Sequence, residues 1–393
     1  MRAGAFVYPW DVVGDPAAPG LLADLGLASV TLASAYHSTR ALTPRHPAHR
    51  IVTAAHAAVL YPPDGARWSG RALRPYEAGA WAPGDAYGQA AGALADAGLE
   101  VHSWVVLAHN SRLGAERPDT SVVNAYGDRY PWAPCIARPD VHAYLVELAV
   151  EAAVRPGAAG TELESCGWYG LAHLHAHDKT AGVPLGDREQ YLMSLCFCSS
   201  CREGYEAGGV APDALAAAVR AALEGVWAGP GAGTGAGLGG AGASGAGPGP
   251  GLGEFEEPVL AWRARVARAL QEDAVAAVRA AAPPGFRVLL HADPVPYRCG
   301  ANVGTDPAHV LAVADGVVTP AASVGPFGRA ARPETVLVAN VGVVAGMGGS
   351  PGTLAADTRR ASAEGATELR LYHAGLASDA DLAAVADALR AMA

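Results

Sequence analysis

Short apolar runs alternate with helix-like stretches from one end of the chain to the other. Phe6 to Trp10 is the first run, and Leu21 to Leu27 reads as the helix after it. Ser29 to His37 (SVTLASAYH) gives a second strand, followed by a helix over Asp85 to Ala97. Leu99 to Leu107 (LEVHSWVVL) gives a third strand, followed by a helix over Asp140 to Ala153, and Thr161 to Ser165 the fourth strand. After a long helix over Pro258 to Ala281 come Phe286 to Ala292, Gly316 to Thr319, Thr335 to Val341 and Glu368 to His373, with a closing helix over Asp379 to Met392. Near-continuous apolar runs suit parallel strands covered on both faces. Strand–helix–strand units require right-handed crossovers. The pattern therefore predicts an α/β protein, a single (β/α)8 barrel domain over residues 1–393. An open doubly wound sheet fits less well, because Tyr8-Pro9-Trp10 stands where a glycine-rich phosphate turn would follow the first strand.

Two stretches interrupt the alternation. Ser38 to Pro83 is laced with Pro, Trp and His and reads as a long rim loop after strand two. Ala228 to Gly253 is almost wholly Gly, Ala, Pro and Ser, too poor in apolar side chains to fold. It is predicted to be a disordered low-complexity insertion in a helical excursion after strand four, because the alternation resumes beyond it. Hydrophobic residues make up 51% and charged residues 17%, which suits a globular protein. Alanine is so abundant, and Lys so scarce, that codon bias accounts for it, and alanine alone is no helix signal here. A net charge of −10 without a basic stripe argues against a nucleic-acid partner. Without a signal-peptide core or an apolar stretch long enough to span a bilayer, a cytoplasmic protein with reduced cysteines is expected. Whether it forms a homo-oligomer is left open.

On the barrel reading, the last inward residues of the strands form a ring. Strand one supplies Tyr8 and Trp10, strand two Tyr36 and His37, and strand three Trp104, His109 and Asn110. Strand four supplies Glu162 and Glu164, with Trp168 just beyond; strand five supplies His291 and Asp293, strand seven Asn340, and strand eight Tyr372 and His373. Aromatic faces beside carboxylates and amides suit a carbohydrate ligand, whose ring faces stack while its hydroxyls seek hydrogen bonds. In Gly160-Thr161-Glu162-Leu163-Glu164-Ser165 the two glutamates share one face of the strand. Glu164 then lies at the carboxyl rim, the candidate general acid/base, and Glu162 one step deeper, where an unpaired charge is costly. A glycosidase needs a second carboxyl as nucleophile or base. Asp293 is the first candidate, with a capping role before Pro294 as its alternative, and Glu162 the second. His173, His175 and His177, followed by Asp178 and Lys179, read as a hydrogen-bonding lid, with a metal site among the histidines as the alternative. No organic cofactor is implied. Two other readings stay open: a non-catalytic carbohydrate-binding barrel, and a lyase or isomerase with His291 or His373 as base.

Cys196-Phe197-Cys198-Ser199-Ser200-Cys201 brings three thiols together in a C-x-C-x2-C spacing, one ligand short of a tetrahedral zinc. With Arg202 and Tyr205 after it, this stretch resembles the zinc-containing β-galactosidases of glycoside hydrolase family 42 and related glycosidase-like barrels. The resemblance covers roughly residues 100–210. It implies a structural zinc completed by an upstream cysteine, at Cys135 or alternatively Cys166. It also implies an acid/base glutamate at the end of strand four, which Glu164 matches. The family's nucleophilic glutamate ends strand seven, where this chain reads Leu337-Val338-Ala339-Asn340-Val341 without a carboxylate.

Overall fold

The computed structural model describes residues 1–172, 178–180, 182–183, 185–227 and 251–392. Eight parallel strands form its centre: β1 (Arg2–Val7), β2 (Ser29–Tyr36), β3 (Glu100–Val106), β4 (Ala158–Glu164), β5 (Arg287–Asp293), β6 (Gly316–Pro320), β7 (Val336–Gly342) and β8 (Glu368–Tyr372). Neighbours pair in sequence order, and β1 pairs with both β2 (Ala5 opposite Val30) and β8 (Ala5 opposite Leu371), so the sheet closes on itself. A helix precedes each next strand, namely α1 (Ala18–Asp24), α2 (Ala86–Asp96), α3 (Pro139–Ala153), α4 (Glu256–Ala281), α5 (Pro307–Val313), α6 (Val324–Ala330) and α7 (Leu354–Ala363), and α8 (Asp379–Arg390) follows the last. The expected (β/α)8 barrel is the observed fold. Among the described residues no helix is long and apolar enough to cross a membrane.

Alternation along the strands separates two cores. Val30, Leu32, Val105, Leu163, Leu290, Val317, Leu337 and Leu369 face the helices. Phe6, Ala33, Trp104, Leu289, Val318 and Val338 fill the barrel. Beneath that apolar layer lies a chain of charges running inward from the amino-terminal face. Arg2 pairs with Glu100 at 2.9 Å, Glu100 with Arg287 at 2.6 Å, and Arg287 with Glu368 at 2.8 Å. Arg370 then joins Glu368 at 2.9 Å to Glu162 at 2.7 Å. Exposure falls along the series, from 35% for the Arg2 side chain to 0% for both Arg370 and Glu162. Thr31 also donates to Glu162, at 3.0 Å. Burial alone would raise the pKa of Glu162. The charges of Arg370, His291 and His102 outweigh it and hold the carboxyl at about 2.

Some local expectations need correcting. β1 ends at Val7, and Pro9–Asp11 forms a 3-10 turn, because the Tyr8 N–H donates to Asp11 at 2.8 Å instead of extending the strand. The segment after β2 is more than a loop. It holds an antiparallel hairpin (Thr39–Leu42 with Ile51–Ala54) and a short strand, Ala58–Val59, antiparallel to the end of β2. Another hairpin, Ser121–Val123 with Arg129–Pro134, lies between β3 and α3. His173, His175 and His177 of the expected lid lie outside the described residues, as does the low-complexity stretch apart from Gly251 to Gly253. There Leu252 is buried and Gly253 begins a short 3-10 turn.

The buried charge pair makes a stability prediction. Arg370→Met leaves Glu162 without its cation and should cost about 3–5 kcal/mol in denaturant unfolding, whereas the double variant Glu162→Gln/Arg370→Met should recover most of that loss. The depressed pKa of Glu162 adds stability above its ordinary value of 4.5, and that stability is lost as pH falls towards about 2. The melting temperature of the wild type should therefore drop over this window more steeply than that of the double variant. Equal slopes would show that the pair is not what titrates.

Candidate active site

The carboxyl ends of the strands carry the polar and aromatic side chains that the sequence singles out. Glu164 ends β4 and is 8% exposed. Its Oε2 accepts the indole N–H of Trp104 at 2.8 Å and lies 4.0 Å from Nδ1 of His291. The other face of His291 reaches down, with Nε2 3.5 Å from Glu162 Oε2. His291 thus stands between the buried ion pair and the rim carboxylate. Among the described residues no arginine or lysine forms an ion pair with Glu164, which sets it apart from Glu162 and Asp293. Directly after it Ser165 adopts a left-handed backbone, φ 55°, and its N–H donates to the Ala301 carbonyl at 3.0 Å. A non-glycine residue in that region costs about 1–2 kcal/mol, and such costs cluster at functional sites.

Rings wall the site on two sides. A column runs from Tyr36 to His37 (4.2 Å between centroids), to His109 (4.4 Å) and to Tyr169 (4.2 Å). On the other side Trp10 and His373 both stack on Tyr8, at 4.6 and 4.3 Å. The Tyr8 hydroxyl donates to that of Tyr36 at 2.9 Å, and Tyr372 packs edge-on against Trp104. The phenol pKa values of Tyr8, Tyr36 and Tyr372 are all raised by burial, and the charge of Glu164 adds to the effect in each. These three hydroxyls are protonated donors at neutral pH.

Other predicted residues have structural employment. Asp293 Oδ1 accepts the N–H of Val295 at 2.9 Å, and Oδ2 lies 3.6 Å from Arg298, so it pins the turn after β5. Burial still raises its pKa above the ordinary value, against that hydrogen bond and Arg298. Asn110 caps the helix Ser111–Glu116 by accepting from Leu113 N at 3.0 Å. Trp168 donates to the carbonyl of Arg263 at 3.0 Å and lies under its guanidinium, which ties it to α4. Asn340 lies within β7, and its buried side-chain oxygen has no partner among the described residues. His373 Nδ1 accepts from Gly375 N at 3.1 Å, and burial together with the charge of Arg45 lowers its pKa to about 3. A base that weak is poorly matched to proton abstraction at neutral pH. Asp178 is half-buried and Lys179 exposed on the loop after β4.

Arg370, Asp11 and Tyr169 also belong to this region and are absent from the expected ring. The polar alternation of Glu368, Arg370 and Tyr372 in β8 is the signal that would have found the first. Asp11 is buried, which raises its pKa to about 7 despite the Tyr8 N–H and the charge of Arg45. It sits 4.0 Å from His373.

Away from the cleft, Cys135, Cys196, Cys198 and Cys201 are all buried, with their sulfurs within 4.8 Å of one another. Cys135 Sγ lies 3.5 Å from Cys198, 3.6 Å from Cys201 and 3.6 Å from Cys196. Zinc–sulfur bonds of about 2.3 Å in a tetrahedron put the sulfurs about 3.8 Å apart, so four thiolates here fit such an ion. Cys135 follows the second hairpin, while Cys198 and Cys201 sit at the amino-terminal end of the helix Ser199–Ala207, where thiolates are favoured. Hydrogen bonds from the other three thiols push the Cys198 thiol down, and its contacts with Cys196 and Cys198 push Cys135 up. Cys166 lies outside the cluster, with burial raising its pKa to about 12.

No family model matches the chain, and no curated protein matches it in sequence. Its fold is similar to that of several solved glycoside hydrolases. α-L-Fucosidase isoenzyme 2 from Paenibacillus thiaminolyticus is 14% identical with a TM-score of 0.59, the match covering 100% of this chain and 49% of that one. The glycoside hydrolase domain of PgaB (BpsB) from Bordetella bronchiseptica is 15% identical with a TM-score of 0.54, covering 99% and 97%. A catalytic mutant of a GH42 β-galactosidase from G. stearothermophilus is 11% identical with a TM-score of 0.54, covering 100% and 56%. The chain thus spans about half the length of the fucosidase it matches. At these identities the likeness is one of fold: the chain is a (β/α)8 barrel of the kind these glycoside hydrolases have.

Proposed function

We propose that the chain is a glycoside hydrolase-like enzyme that acts on a carbohydrate at the carboxyl face of the barrel, with Glu164 as general acid/base. The observation that carries this reading is the setting of Glu164: a rim carboxylate, free of any described Arg or Lys ion pair, oriented by Trp104 and enclosed by aromatic rings. In that role its carboxyl gives a proton to the leaving glycosidic oxygen and later takes one from the incoming water. Tyr8, Tyr36 and Tyr372 supply hydroxyls, and Trp10, His37, His109 and Asn340 line the sugar. Asp293 is the second carboxylate of the proposal. Glu162 acts from beneath as a positioning residue, holding His291 under Glu164. Asn340, standing where the resemblance would place a nucleophilic glutamate, favours one competing reading, a barrel that binds a carbohydrate without cleaving it.

Glu164→Gln should lower turnover of responsive aryl glycosides by about 10²–10⁴-fold, with sugar affinity and melting temperature nearly unchanged. If wild type and variant bind sugars equally and neither hydrolyses any member of a broad glycoside panel, the binding-only barrel is the right reading.

The thiol cluster is proposed as a structural zinc site. Four sulfur ligands leave no position open for water, so the ion would brace the excursions after β3 and β4 and take no part in hydrolysis. Protein purified without chelator should carry about one zinc per chain, and Cys198→Ser should lose it and melt at a clearly lower temperature. Metal-free protein in which all six cysteines titrate as free thiols would remove the zinc from the proposal.

A further inference from the structure

Two short stretches of chain join the thiol cluster to the cleft. Trp132 lies in the second hairpin just before Cys135, and Ser194 lies just before Cys196. The Trp132 carbonyl accepts the Asn110 N–H at 2.9 Å, and its indole N–H donates to the Gly170 carbonyl at 3.1 Å. From the other arm the Ser194 hydroxyl accepts the Leu171 N–H at 2.8 Å and donates to the Gln190 carbonyl at 2.6 Å. Gly170 has φ 61°, and a Cβ there would stand 2.2 Å from that of Ser194, so glycine is what lets the two segments come this close. Asn110 and Gly170 are the chain neighbours of His109 and Tyr169, whose rings stack at 4.2 Å. His109 stacks in turn on the half-buried His37 at 4.4 Å. Tyr169 also lies within the field of Glu164, whose charge adds to burial in raising the phenol pKa. The two arms are tied to each other as well. The Phe197 N–H donates to the Val123 carbonyl at 2.7 Å, and the Tyr130 hydroxyl to the Met193 carbonyl at 2.8 Å. The thiol cluster, the second hairpin and one wall of the cleft thus form a connected frame.

We propose that Trp132 and Ser194 are positioning residues through which the thiol cluster sets the His109–Tyr169 wall, so that the state of the four thiols and the occupancy of the cleft are coupled. The consequence for ligand affinity rests on the glycosidase-like reading above, while the mechanical link stands apart from it. With the sulfurs gathered at one point, the arms that end in Cys135 and Cys196 keep a fixed spacing, and the backbone beside Tyr169 is pinned from both. Releasing the sulfurs lets the arms drift, and the Gly170 carbonyl and Leu171 N–H drift with them. Coupling of this kind is reciprocal: the factor by which the intact cluster tightens a ligand is the factor by which the ligand protects the cluster.

Hydrogen exchange read by mass spectrometry on the intact chain tests the link without any ligand. Trp132→Phe keeps a ring against Tyr130 and removes the indole donor. This variant and Ser194→Ala should each speed exchange across residues 167–172 by roughly fivefold, with β5 to β8 unchanged. Cys198→Ser should do the same from the cluster side. Unchanged exchange at 167–172 in Trp132→Phe or in Cys198→Ser would overturn the proposal, and so would a uniform rise across the barrel, which marks general destabilisation. Reciprocity supplies the second arm. The rate at which 4-hydroxymercuribenzoate attacks the four clustered thiols should fall when the cleft is filled with the tightest binder from a panel of neutral gluco-, galacto- and manno-oligosaccharides. Trp132→Phe should abolish most of that protection and weaken the same saccharide by roughly fivefold. Protection that persists undiminished in Trp132→Phe would overturn its role. If no saccharide binds the wild type, the glycosidase-like reading falls, and hydrogen exchange alone decides the link.

Discussion

Inside the barrel, Glu162 and Arg370 face each other at 2.7 Å with neither side chain exposed to solvent, and much of the site is arranged around that pair. A buried carboxylate cannot stay charged without a cation, and a buried guanidinium cannot shed its charge at all. The two therefore tie β4 to β8 across the interior. Glu368, Arg287, Glu100 and Arg2 carry the compensation outward to the amino-terminal face, where water screens the last members. Above the pair the consequences run the other way. Glu162 holds the lower edge of His291, whose upper nitrogen faces Glu164. The rim carboxylate is thus flanked from below by His291 and held from the side by Trp104.

The periphery reaches the same end by different means. A barrel strand is fixed by two neighbours, but a rim excursion must be fixed by whatever it carries. After β2, Arg45 donates to the Ala374 carbonyl at 2.7 Å and also to that of Ala377, which latches the hairpin loop onto the segment after β8. His46 anchors the same loop to the turn after β1 through the Val13 carbonyl at 3.0 Å. After β3 and β4, four sulfurs gather segments far apart in the chain into one point. These directional contacts add to apolar packing, since Val52 and Ala54 of the first hairpin and Val122 and Tyr130 of the second are buried in the cores.

Period and chemistry made the barrel legible. Apolar runs separated by helix-like segments leave few topologies once crossovers must be right-handed, and the order of pairing follows the order of the chain. The same pattern placed Glu164 at a strand end and grouped three of the four thiols, because those depend on local spacing alone. The ends of elements were less legible. Tyr8-Pro9-Trp10 reads as strand by composition, yet the Asp11 carboxylate captures the Tyr8 N–H and turns the chain.

Long-range pairing had to wait for tertiary structure. Nothing near Glu162 in sequence names Arg370, which lies 208 residues away, and nothing near Cys196 distinguishes Cys135 from Cys166. Trp168 and Asn110 have the right residue types for a cleft, but the fold gives one to Arg263 and the other to a helix cap. By itself the sequence determined which side of each strand is polar and where along the chain the carboxylates and thiols fall, since these follow from backbone periodicity. Which carboxylate pairs with a buried arginine and which does not depends on what charge lies within a few ångströms, and only closing the barrel decides that.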